Sequence, residues 1–121
     1  MIRELKKQIK SIVDPISELS FEVYPDDAIF PHCVGELTVA YYKEGLFTIN
    51  LDIDVWDRNT STKNVDEISE QIMNALDRLH FHDDVIEFTS WFTTLLNSGS
   101  DDKTLRRKTC VFEIQARRVK L

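Results

Sequence analysis

Glycine, proline and cysteine are all scarce in this 121-residue chain, with three, three and two of them respectively. Gly35, Gly45 and Gly99 stand singly. That excludes a glycine-rich phosphate cradle, a P-loop, a dinucleotide fingerprint and a Gly-x-Ser-x-Gly nucleophile elbow. No apolar run approaches the ~20 residues that cross a bilayer. The N-terminus, MIRELKKQIKSIVDP, carries charges throughout and lacks the apolar core of a secretory leader. These features predict a protein made and kept in a cytoplasm, with no membrane partner. Cys33 and Cys110 are then expected to be free and buried, because a reducing compartment disfavours disulfides. Net basicity is missing too. A formal charge of -6 excludes whole-surface attraction to nucleic acid and leaves room only for local basic patches.

Present instead is an ordinary globular composition, 42% hydrophobic and 30% charged. The length suits one domain with one core, spanning residues 1–121. The clearest pattern is residues 46–56, LFTINLDIDVW. Phe47, Ile49, Leu51, Ile53 and Val55 alternate with Thr48, Asn50, Asp52 and Asp54. A period of two is a β-strand with one apolar and one polar face. At about 11 residues it would reach roughly 36 Å, longer than most strands. The period then changes: Val65, Ile68, Ile72, Met73, Leu76 and Leu79 recur at helical spacing.

Around this block the remaining elements fall into place. Ile2, Leu5, Ile9 and Ile12 form the stripe of a first helix that ends before Pro15. Residues 20–24 predict a short strand, 25–31 a proline-bracketed loop, and 34–42 a second strand. Lys43-Glu44-Gly45 turns that strand into 46–56 as a hairpin. Asn64 is expected to cap the second helix (65–79), with Glu67 completing a capping box. The segment HFHDD, 80–84, is expected to close that helix. Residues 85–97 and 105–119 predict a second strand pair around a turn-rich tip at 98–103. In the last strand Cys110, Phe112, Ile114 and Ala116 share one face. Helix, three strands, helix, two strands predicts α+β: an antiparallel or mixed β-sheet of about five strands with two helices packed on its apolar face.

Several constellations invite chemistry. Asp52 and Asp54 share a strand face with Asp57 just beyond, a spacing that suits a hard divalent cation. Alternation alone also places carboxylates there, so the solvent face is the simpler reading, and no third ligand stands nearby. A catalytic role predicts that Asp52→Asn abolishes an activity without altering assembly. His80, His82, Asp83 and Asp84 offer ligands for a transition metal but lack a recognised four-ligand spacing. As a histidine-rich helix stop they would instead suit the negative end of a helix dipole. Cys33 adjoins His32, but neighbours on an extended chain point to opposite faces, so they make no catalytic pair. No catalytic, cofactor-binding or metal-binding residue is therefore assigned. Lys103, Arg106, Arg107 and Lys108 cluster on the second hairpin, as Arg117, Arg118 and Lys120 do at the end of the chain. Either set fits a contact with an acidic neighbour or a solvated rim. Trp56 and Trp91 fit an interface and a core equally well.

Taken together, the N-terminal helix, the proline loop leading to FPHCVGE, the strand FTINLDIDVWDR, the helix VDEISEQIMNALDRL and the closing strand KTCVFEIQARR resemble the tail terminator proteins of long-tailed bacteriophages and prophages. The resemblance covers most of the chain. It implies a non-enzymatic subunit without cofactor that forms a ring with copies of itself, typically a hexamer. Such a ring caps the tail tube protein, ends its polymerisation and offers a surface to a head-completion or connector protein. It also implies a place in the virion tail neck, with assembly in the host cytoplasm and DNA passing through unbound. An acidic lumen would repel DNA and let it slide. A ring needs two unlike patches that meet head to tail. The expected interface residues are Trp56, Asp57 and Arg58 at the end of the long strand, with Lys103, Arg106 and Arg107 on the second hairpin. Competing readings are a head–tail connector, a small metal-dependent enzyme using Asp52 and Asp54 or the His80–Asp84 cluster, and a small host-takeover binding module.

Overall fold

The period-two segments form the centre of one six-stranded mixed sheet, seen in a computed structural model that describes residues 1–22, 29–98 and 103–119. The elements in chain order are α1 (Ile2–Val13), β1 (Leu19–Phe21), β2 (His32–Lys43), β3 (Leu46–Arg58), α2 (Lys63–Leu76), β4 (Leu79–His82), β5 (Ile86–Ser98) and β6 (Leu105–Arg118). Across the sheet the strands lie in the order β1-β2-β3-β6-β5-β4. Among the described residues only β1 and β2 run parallel; the other four pairs are antiparallel.

The predicted face of β3 is the buried one. Ile49, Leu51, Ile53 and Val55 have no exposed surface, and neither do Cys110, Phe112, Ile114 and Ala116 on β6. Registers explain the match: Ile49 faces Ile114, Leu51 faces Phe112 and Ile53 faces Cys110, so two apolar rows reinforce each other. The helices close this face. Leu5, Ile9 and Val13 of α1 and Val65, Ile68, Ile72 and Leu76 of α2 are the buried stripes, and α2 lies over β3 and β6. Phe92 on β5 meets Phe112 edge to face at 5.8 Å. Lys10 and Asp14 tie the end of α1 to β1 through the Leu19 carbonyl and amide.

The expected two helices and α+β class are present, with six strands rather than about five. The extra strand is β4. α2 stops at Leu76, three residues short of the expected end, and Arg78 adopts φ 58. His80 and His82 therefore lie on a strand paired to β5, not on a helix stop. Their alternation with Leu79 and Phe81 suits a strand once the helix has ended. α2 also begins earlier, with Thr62 as its N-cap and no side-chain cap bond. The Asn64 amide, expected to cap, instead donates to Asp57 at 3.1 Å. β1 starts one residue before the predicted segment 20–24 and pairs only through Phe21; Tyr24 lies outside the described residues. The β2–β3 turn needs two residues rather than three. Glu44 (φ 52) and Gly45 (φ 85) both take the left-handed conformation that such tight hairpins require.

Phe112 is fully buried between β3 and β5, so Phe112→Ala is expected to lower folding stability by about 3–5 kcal/mol. Val111→Ala, on the opposite and half-buried face of the same strand, should cost less than about 1.5 kcal/mol. Urea denaturation of both variants reads the difference directly.

Candidate assembly interface

The six residues expected at an interface come together at one end of the sheet. Consecutive rungs pair Trp56 with Arg107, Asp57 with Arg106 and Arg58 with Leu105, and Lys103 stands exposed in the turn just before β6. Alternation decides what each does. Trp56 points to the helix-free face, where the Arg107 guanidinium lies 5.1 Å from its ring. Asp57 points inward, is 3% exposed and accepts the Asn64 amide, which locks the end of β3 to the first turn of α2. Arg58 sits over the Phe30 ring at 5.5 Å and donates to the Thr104 hydroxyl. Arg106 donates to the carbonyls of Asn59 and Thr60, holding the loop before α2. Lys108 pairs with Asp66 on α2 and holds that carboxyl below its usual range. Much of this basic cluster thus also organises its own subunit.

The helix-free face carries an acidic row below this end. Glu36, Asp52 and Val111 share one rung, with Asp54 and Glu113 on neighbouring rungs of the same face. Burial, followed by the charges of Asp54 and Glu36, raises the Asp52 carboxyl above its ordinary value. Asp54 accepts the Thr109 hydroxyl. Among the described residues no group of three His, Cys, Asp or Glu side chains is placed to hold a metal ion. His80 and His82 both lean on Glu87, at 3.9 and 3.3 Å, and Arg117 holds that carboxyl from the next strand. Asp83 instead accepts the amides of Val85 and Ile86 in a turn. The cluster 80–84 is thereby divided. Cys33 and Cys110 are free and buried, and burial pushes their thiols up to about 12 and about 11, so both stay protonated.

The turn end of the β2–β3 hairpin is a further exposed apolar surface, outside the six residues expected at an interface. Val39, Tyr41, Tyr42 and Leu46 are 46%, 60%, 55% and 40% exposed there. The available signal was a break in alternation: a bulge at Ala40 shifts the register between Val39 and Tyr41, so VAYY places large apolar groups on both faces. Trp91 joins Leu46 along a shallow groove on the helix-free face.

No protein-family model matches this chain, and no curated protein matches it either. Among solved structures it is similar in fold to a chain of the "Virion of native gene transfer agent (GTA) particle". The identity is 13%, with 90% of this chain and 84% of that chain covered and a TM-score of 0.65.

Asp52→Asn should stabilise the fold at neutral pH, raising Tm by about 1–3 °C. The raised folded-state pKa means that the cost appears as Asp52 ionises, chiefly because it is partly desolvated and then because Asp54 and Glu36 are close. Below its ordinary value of 3.8 both folded and unfolded chains are protonated, and the gain should vanish. Thermal melts of both proteins across that range provide the measurement.

Proposed function

We propose that this protein is a structural subunit of a phage-like particle, and specifically a tail terminator. Copies of it form a ring, a hexamer in this reading, that caps the tail tube and ends its polymerisation. The ring then offers its other side to a head-completion or connector protein. The observation that carries the reading is the likeness in fold, over 90% of the chain, to a chain of a gene transfer agent virion. The sequence resemblance to tail terminators supports it independently. Such a role needs no enzymatic step and no cofactor.

The geometry supplies what such a subunit needs. Its basic end, built on three rungs of β3 and β6, differs from the acidic row on the rest of the helix-free face, so unlike patches exist on one copy. An acidic face turned toward a central channel would repel passing DNA rather than retain it. In this reading Trp56, Asp57, Arg58, Lys103, Arg106 and Arg107 mark a contact with a neighbouring copy or with the tube. Asp57 acts from beneath, by fixing the end of β3.

Electron microscopy of the purified protein, alone and with tail tubes, is expected to show rings seated on tube ends. Charge reversal at Arg106 and Arg107 should weaken ring formation more at low salt than at high salt. Because Arg106 also holds the loop before α2, Lys103→Glu serves as the surface variant without that complication. A protein that stays monomeric beside open tube ends would falsify the reading.

A further inference from the structure

The two edges of the sheet have complementary outlines. β1 covers β2 only at 33–35, so among the described residues the outer edge of β2 from 36 to 43 has no strand beside it. On the opposite edge, among the described residues, β4 covers β5 only at 87–90. Tracing rungs across the sheet places these half-strands at opposite heights. β1 lies level with Leu95 and Asn97 of β5, where that edge is open. β4 lies level with Val39 and Tyr42 of β2, where the other edge is open. Each protruding strand of one copy therefore matches a recess in the next.

We infer that β4 of one copy adds, in parallel, to the open edge of β2 in a neighbouring copy. This deepens the ring reading above and rests on it. Direction is the first support. Four antiparallel pairings separate β2 from β4, so they run the same way within a subunit. Rotation about an axis along the strands preserves that direction, and successive copies then meet in parallel. Charge is the second support. The open stretch of β2 runs from Glu36 to Lys43, which face Asp52 and Leu46 on β3, six rungs apart. β4 is flanked by Arg78 and Asp84, also six positions apart, and all four side chains are exposed. Parallel pairing at level heights sets Arg78 beside Thr38, diagonal to Glu36 two rungs away, and Asp84 diagonal to Lys43, offsets that long side chains span. Antiparallel pairing would set like charges together, which is repulsive.

Side-chain character is the third support. Level with each other lie Leu79 and Val39, then Phe81 and Tyr42, on the helix-bearing face. Within one subunit the rung Tyr42–Phe47–Ala116–Phe88–Phe81 is already apolar from edge to edge, with Tyr42 against Phe47 and Phe81 against Phe88. Adding the next Tyr42 beside Phe81 continues it. The open stretch of β2 contains no proline, and its only charges stand at its two ends. An edge of that kind is a ready template for another strand. On the far side the Phe92 amide, just beyond β4, is already satisfied by the Asp77 carboxylate.

The test is a charge swap with an independent crosslink. Glu36→Lys alone, and Arg78→Glu alone, should each weaken assembly about tenfold, and the double variant should recover it, by sedimentation velocity and by counting rings in micrographs. Tyr41→Cys combined with His80→Cys should, on oxidation, give a ladder of covalent multimers. Within one subunit these positions lie four strand spacings apart, roughly 19 Å, too far for an internal disulfide. The native thiols are buried and protonated and do not compete. Rings that survive both single charge changes and yield no ladder overturn this edge pairing while the ring stands. Absence of rings in the unaltered protein, with and without tubes, overturns both.

Discussion

Everything in this molecule hangs on the register between β3 and β6. Ile49, Leu51 and Ile53 must meet Ile114, Phe112 and Cys110 on one face, and then Asn50, Asp52 and Asp54 meet Glu113, Val111 and Thr109 on the other. A slip of one residue would turn the apolar row to water and drive carboxylates under α2. Hydrophobic burial on one side therefore fixes the chemistry of the other. The acidic row, the Trp56–Arg107 stack and the height at which each edge strand sits all follow from that one pairing.

Much of this was legible because it depends on local period. The alternation in 46–56 gave the buried face of β3 residue by residue, and the helical spacing after Val65 gave the stripe of α2. What was not legible depends on partners. β4 has only four residues, and after an amphipathic helix its Leu79 reads as one more turn. Only pairing with β5 makes it a strand. Asp57 shows the same limit. Its position continues the inward alternation of β3 two residues beyond Val55, so its burial was written in the period, while the Asn64 amide that satisfies it was not. The six expected contact residues share an end of the sheet because β3 and β6 end together, a long-range fact that no sequence window contains.

Several of those residues act within the subunit as well as at its surface. Arg106 gathers two loop carbonyls, and Arg107 covers Trp56. A guanidinium held in that way loses less side-chain freedom on docking than a free lysine would. The same contacts mean that altering these arginines perturbs the loop before α2 as well as the surface. Internal anchoring and external recognition are thus properties of one set of atoms, and Lys103, at the rim, is the member whose charge is most cleanly separable from the fold.

Acidity constrains how copies of this chain can meet. Each carries a formal charge of -6, so subunits repel at distances beyond contact, and added salt screens that repulsion. A contact between them must overcome it locally with surface that is neutral or cross-paired. The open half of β2 meets that requirement: its interior is uncharged, and its terminal Glu36 and Lys43 are opposite in sign to Arg78 and Asp84 and equal to them in spacing. Backbone pairing there is indifferent to ionic strength, while the flanking charges reject the reversed orientation. Salt then has two opposed effects, relieving repulsion between whole subunits and loosening the end pairs. Their separation along the ionic-strength axis follows from geometry, because the end pairs act at contact and the net charge acts across a Debye length.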